Sequence, residues 1–225
     1  MANPIGDILT LAVGVAISPV PIIAVILMLF TKKAKSNSLA FLLGWVLGLT
    51  IVGGIVLYIA GTQDLSPGSE PSTAASAIRL LLGLLLLFLA AKQWKKRPRP
   101  GEEPEMPKWM KTIGSFTPAK ALGLALLLSG VNPKNLALTM AAAMNIAQAN
   151  LNSFQSFVLL GVFVIIGSIT VAIPVIVYLT MGNKAAKALD EMKAWLTHNN
   201  ATVMFVLLII LGVDLVGKGI AELWG

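Results

Sequence analysis

Ile17-Ser18-Pro19-Val20-Pro21-Ile22-Ile23 stands at the centre of an uncharged run, residues 8–31. Gly130-Val131-Asn132-Pro133-Lys134 stands near the centre of another apolar run, 121–149, whose only charge is Lys134. Proline has no N–H and clashes with the carbonyl four residues back, so each string is expected to break a helix. In hydrocarbon the freed backbone groups persist only where protein, water or a ligand satisfies them. Superposing Pro19 on Pro133 gives an offset of 114 residues and sets Phe41 opposite Gln155, each early in the next apolar run. Each half then holds three spans with a broken first one. Three is odd, so the halves insert with opposite orientation, the inverted-repeat layout of many secondary transporters. The expected fold is all-α, a polytopic membrane protein of six transmembrane helices in two inverted three-helix repeats, 1–93 and 119–225, joined by a linker, 94–118.

Working outward, composition agrees. The 225 residues are 56% hydrophobic and 12% charged, with a mean hydropathy of +0.84. Soluble domains carry about 25% charged residues, so a water-soluble globular protein is excluded. A spanning helix needs about 20 mostly apolar residues. The runs 8–31, 36–63, 74–91 (interrupted by Arg79) and 121–149 supply four. The uncharged interval 135–183 is too long for one helix, and the polar string Gln148 to Ser153 divides it, leaving a fifth at 154–181. The sixth, 200–223, contains Asp214 and Lys218.

The net charge of +7 is chiefly a topology signal. Lys32, Lys33 and Lys35 follow span 1; eight Lys and Arg residues between Lys92 and Lys120 follow span 3; Lys184, Lys187 and Lys193 follow span 5. The other two connections carry no Lys or Arg. All fourteen loop cations thus fall on one side, which the positive-inside rule makes cytoplasmic. The expected location is the cytoplasmic (inner) membrane, multi-pass, with both termini outside. Asp7 before span 1, with no basic n-region or small-residue cleavage site, fits an uncleaved first helix. This distribution is not a nucleic-acid footprint, so no nucleic-acid partner is expected. Cysteine is absent, which removes thiolate chemistry and Cys-based metal sites. His198 lies in a polar stretch and reads as a solvated loop residue.

Pro98, Pro100, Pro104, Pro107 and Pro118 make 94–118 a flexible basic linker. In Lys184–Leu196, apolar Ala185, Leu189, Met192 and Leu196 recur at helical spacing. That fits either a short helix on the inner leaflet or a plain extension of span 5. Asp7, Thr10, Gly14 and Ser18 share one face of span 1; Lys134, Ala141, Asn145 and Gln148 share one of span 4. These stripes fit an outward-opening path or close packing through small residues, as Gly44 and Gly48 also suggest.

Lys134 is the most informative charge. A central Lys costs about 2.5–3.5 kcal/mol on insertion scales and needs a partner or a water-filled site. A helix N-terminus beginning at the break adds N–H donors and partial positive charge, so an anion site is one reading. An ion pair with Asp214 is the other. Asp214 is equally placed to pair with Lys218 one turn away, and a proton-coupling role is conceivable. Arg79 is expected to snorkel to the outer surface. Trp94, Trp109, Trp195 and Trp224 read as interfacial anchors. With a single acid well inside a span, divalent-cation transport and Mg²⁺-dependent phosphotransfer are disfavoured, and no metal or cofactor is expected. No nucleophile set or phosphate loop is present, so the chain does not read as an enzyme.

At Ser18-Pro19-Val20-Pro21 and Asn132-Pro133-Lys134 the chain resembles the lysine-exporter superfamily, whose members have six spans in a three-plus-three duplication. Within it, the Ile17–Ile23 string and the basic, proline-rich central loop are most similar to the GAP family of glycopeptidolipid- and sulfolipid-addressing proteins. The resemblance covers the whole chain in layout through two short motifs. It implies export of amphiphilic cell-envelope glycolipids, often beside a larger lipid-export complex. It carries Pro19, Pro21, Asn132, Pro133 and Lys134 onto the family motifs. The first motif departs from the Pro-Gly-Pro of amino-acid exporters, which speaks against an amino-acid substrate. The expected substrate site is Ser18, Pro19, Pro21, Asn132, Pro133, Lys134 and Asn145, with Asp214 as the empty-site countercharge of Lys134. The expected partners are membrane lipids, an anionic amphiphile and a second copy of the chain. Amino-acid or small-solute export, and a non-transporting accessory role, are the alternatives.

Overall fold

A computed structural model describes residues 4–62, 73–98, 102, 107–149 and 151–224, and these form helices with no strand among them. The expected breaks are present. Helix α1 (Pro4–Ala16) ends two residues before α2 (Pro19–Leu29), and the two axes meet at 48°. Helix α5 (Pro118–Leu126) passes into a π turn, Leu127–Val131, ahead of α6 (Pro133–Ala147), with a bend of 60°. Pro19 and Pro133 each occupy the first turn of the second half-helix, where a missing N–H costs nothing.

The unbroken helices are α3 (Ala34–Thr62), α4 (Thr73–Lys95), α7 (Ser153–Met181) and α8 (Ala186–Trp224). Asn152 and Gln155 start α7 with a reciprocal capping box. Gly182, at φ +55, turns the chain from α7 toward α8 in a conformation that favours glycine. Among the described residues three helical stretches are long and apolar enough to cross a membrane, or five when each bent pair is one span. Their outer surface suits lipid: Tyr58, Phe88, Phe157 and Ile165 are exposed by 74, 66, 66 and 67%, too large an apolar coat for water. The chain is a helical membrane protein.

Small residues set the closest packing. A Cβ at Gly83 would stand 2.7 Å from the Val216 backbone nitrogen, and one at Gly219 would stand 2.8 Å from that of Leu80. Helices α4 and α8 therefore cross almost backbone to backbone. Gly44 and Gly48 similarly seat α3 on α5 and the π turn, the packing role expected of that pair.

Two expectations are corrected. Lys184–Leu196 forms neither a separate surface helix nor an extension of α7. Residues from Ala186 on are the first turns of the 39-residue α8, because buried Leu189 and partly buried Met192 and Leu196 pack onto the core. His198 is thereby helical, though exposed. The linker is not flexible throughout: Lys108–Ser115 is a 3₁₀ helix anchored by buried Met110 and Ile113, and Asn37 Nδ2 donates to Phe116 O at 3.0 Å. Residues 99–101 and 103–106 of the linker, and the 63–72 connection with Asp64 and Glu70, lie outside the described residues.

Candidate functional site

The two breaks lie against each other, joined by Lys134. Its ammonium donates to Gly14 O at 2.8 Å, Ile17 O at 2.9 Å and Ser18 Oγ at 2.6 Å, three acceptors for its three N–H bonds. Gly14 O and Ile17 O belong to the C-terminal end of α1, which carries partial negative charge and orphan carbonyls. Ser18 Oγ donates to Val15 O at 2.6 Å, and Thr170 Oγ1 donates to Ala16 O. Every carbonyl that the break frees from Gly14 to Ile17 thus has a partner. The second break is served from its own segment. Asn135 Nδ2 donates to Leu128 O at 2.8 Å, and the Lys134 N–H donates to Asn132 Oδ1 at 3.1 Å.

This corrects two readings. Lys134 is 3% exposed yet has no carboxylate partner. Asp214 accepts instead from Lys218 Nζ at 2.9 Å, and the same ammonium reaches Asp7 at 2.7 Å. Asp214 is therefore not the countercharge of Lys134; the α1 carbonyls fill that place. Nor does the ammonium reinforce the N-terminus of α6, since it points across to the opposite pole of another helix.

A cavity of about 270 Å³ opens beside the breaks. Ser18, Pro19, Pro21, Asn132, Pro133 and Lys134 all line it, so six of the seven expected substrate residues come together. Leu89, Lys92 and Gln93 of α4, Lys96 just beyond its end, and Asn200, Met204 and Leu208 of α8 also line the wall. Asn145 is elsewhere. It accepts from Arg79 Nη2 at 2.7 Å, beside Gln148 at 2.9 Å.

Arg79 does not snorkel. It is 3% exposed, and its guanidinium pairs with Glu222, which also accepts from Ser76 Oγ at 3.1 Å. Asp7 and Asp214 lie within electrostatic reach of Arg79, so the two clusters form one network at the end opposite Lys92 and Lys96. In this structure the polar stripes of spans 1 and 4 therefore line no open path. Asp7, Asn145 and Gln148 are bound in this network, and Gly14 is packed so tightly that a Cβ would stand 2.6 Å from Leu211 Cδ1.

The model of one family, Sap, the sulfolipid-1-addressing protein, matches residues 8–221. The chain belongs to the sulfolipid-1-addressing protein family. No curated protein and no solved structure matches it significantly. The family match spans both helix breaks, the Arg79 network apart from Asp7 and Glu222, and every residue lining the cavity. In this member the sequence reading missed Asn135, which adjoins the Asn132-Pro133-Lys134 motif, and Glu222, one turn beyond Lys218. Thr170 had no signal in the sequence. Lys92 and Lys96 were visible but read as topology alone. Among the described residues no cluster of His, Asp or Glu is arranged to hold a metal.

Proposed function

We propose that this protein exports an anionic, amphiphilic cell-envelope lipid across the cytoplasmic membrane by alternating access, without altering it chemically and without a cofactor. Dividing the 72-residue stretch Ser153–Trp224 at Gly182 gives six spans, and the loop cations orient them with both termini outside. The observation that carries the proposal is the cavity between the two helix breaks, reached from the end bearing Lys92 and Lys96, while ion pairs bridge the opposite end.

Inverted repeats account for the asymmetry. The 114-residue offset exchanges α1 with α5, α2 with α6, α3 with α7 and α4 with α8. Most helix pairings have their exchanged counterpart: α3 with α5 and α7 with α1, α2 with α8 and α6 with α4, α2 with α3 and α6 with α7. One does not. Helix α1 packs on α6, whereas α2 and α5 make no comparable contact. On this reading the outer half-helices are closed and the inner ones parted, an inward-open state. Rocking of one repeat against the other would join α2 to α5 and part α1 from α6, delivering the substrate outside. Membership of the lysine-exporter superfamily fits the same layout.

Purified protein in liposomes, with a fluorescent anionic lipid in one leaflet, tests the reading. Protein-dependent transfer to the other leaflet is expected. If the protein moves no lipid unaided but restores export when added to a larger lipid-export complex, it is an accessory factor and the proposal fails.

A further inference from the structure

We infer that Lys92 and Lys96, with Asn200, form the headgroup subsite of the cavity, and that they hold a sulfate- or phosphate-class anion bearing hydroxyl groups. This inference rests on the export reading above and assigns the recognition within it to residues other than Lys134.

Three observations carry it. First, Lys92, in the last turn of α4, and Lys96, just beyond its end, stand four residues apart and both line the cavity. Like charges at that spacing repel by a few tenths of a kcal/mol. Three lysines of α8 do have an acid within ion-pair distance: Lys218 has Asp214, Lys193 has Asp190 and Lys187 has Glu191. Among the described residues neither Lys92 nor Lys96 has a carboxylate partner, so a bound anion would complete the pair. Second, Asn200 Oδ1 is buried without a hydrogen-bond partner while its side chain lines the same cavity. It lacks a donor, which a sulfate or phosphate oxygen does not provide and a hydroxyl does. Third, the donors of Lys134 are already committed to three oxygens of the α1 break and its hydroxyl cap. It contributes positive potential at the floor of the cavity, but binding it directly would strip those acceptors.

Size sets the orientation. Pockets that enclose a whole drug-sized ligand measure about 300–1,000 Å³, so 270 Å³ admits a headgroup and not the acyl chains. Leu89, Met204 and Leu208 supply an apolar side along which the first methylenes leave.

The absence of native cysteine permits a clean test. A Met204→Cys variant carrying an environment-sensitive fluorophore, in nanodiscs of neutral lipid, is titrated with decyl sulfate and with decyl glucoside. A Phe88→Cys label on the lipid face corrects for partition. Lys92→Gln and Lys96→Gln are each expected to weaken decyl sulfate at least fivefold, and Asn200→Leu to weaken decyl glucoside at least threefold. Lys95→Gln, the same charge loss on the same helix outside the cavity, is expected to change either by less than twofold. If Lys95→Gln weakens decyl sulfate as much as Lys92→Gln, general surface potential explains the effect and the subsite is wrong. If the label responds to both amphiphiles with unchanged affinity in Lys92→Gln and Lys96→Gln, the subsite fails while the export reading stands. If it responds to neither, the cavity is no lipid site and both readings fall.

Discussion

Replacing Arg79 by Met should open the end of the protein that its ion pair holds shut. The guanidinium is buried against Glu222, Asn145 and Gln148, and Arg79→Met leaves the carboxylate of Glu222 without its charge partner, with the Ser76 hydroxyl still donating to it. Removing one member of a buried pair costs about 3–5 kcal/mol. The Glu222 side chain retains 22% exposure, so the lower end applies, about 3 kcal/mol. On the alternating-access reading, an outward-open state would part and hydrate this pair, so the penalty would fall on the closed state alone. At 1.4 kcal/mol per factor of ten, the ratio of open to closed rises roughly a hundredfold. A cysteine at Ala141, 1% exposed and one turn before Asn145 on α6, reports the opening through its labelling by an impermeant maleimide from outside. Its rate should rise by about that factor in Arg79→Met. The double variant Arg79→Met/Glu222→Met removes both charges and leaves two apolar side chains, so labelling should return close to the original rate. An unchanged rate in the single variant, or a double variant as open as the single, refutes the latch.

Lys134→Gln should lower the melting temperature in detergent, because up to two α1 carbonyls and the Ser18 hydroxyl lose their donor at about 1–3 kcal/mol per unsatisfied group. Its affinity for decyl sulfate should change less than about threefold, since that lysine acts on the fold through bonds already made; a tenfold loss of affinity with unchanged melting would make it a substrate ligand instead. Gly83→Ala should destabilise by about 1–3 kcal/mol, as its Cβ meets a backbone nitrogen that cannot rotate away. Gly217→Ala, with nothing within 4 Å, should be neutral or raise the melting temperature through helix propensity; equal melting of the two variants would contradict the α4–α8 crossing. Cysteines placed at Ser36 and at Ser153 should label from opposite sides of intact cells, with Ser153 outside; labelling of both from one side would overturn the topology.

The helix breaks were legible because proline acts locally: wherever Pro19 and Pro133 sit, an N–H is missing and the helix must answer for it. The topology expectation came from the same kind of signal, a charge count along the chain. Side-chain partnerships were not legible, since they depend on which helices approach each other. Arg79 and Glu222 lie 143 residues apart, and their pairing follows from the glycines that draw α4 against α8. Lys134 shows the limit most clearly. Its need for a partner could be read from one residue in an apolar run, but carbonyls of a broken helix carry no mark in a sequence. A carboxylate was the only partner visible there, and Asp214 was the only acid well inside a span.

The proposed repeat also explains why the two ends of the molecule differ in strength. Under the 114-residue offset the counterpart of Lys134 is Val20. Lys134 fastens the end of α1 to the start of α6, whereas a valine has no donor with which to fasten the π turn to the start of α2. The network of Arg79, Glu222, Asp7 and Lys218 adds to the same closed side, while the opposite end lines its cavity with two unpaired lysines that repel one another. On the export reading, an empty protein rests inward-open because charge pairing holds its outer end and nothing comparable among the described residues fastens the inner one. An anion seated between Lys92 and Lys96 cancels that repulsion. On the same reading, cargo favours inner closure to the extent that bringing α2 toward α5 adds contacts to it, because a ligand shifts an equilibrium only by its differential affinity for the two states.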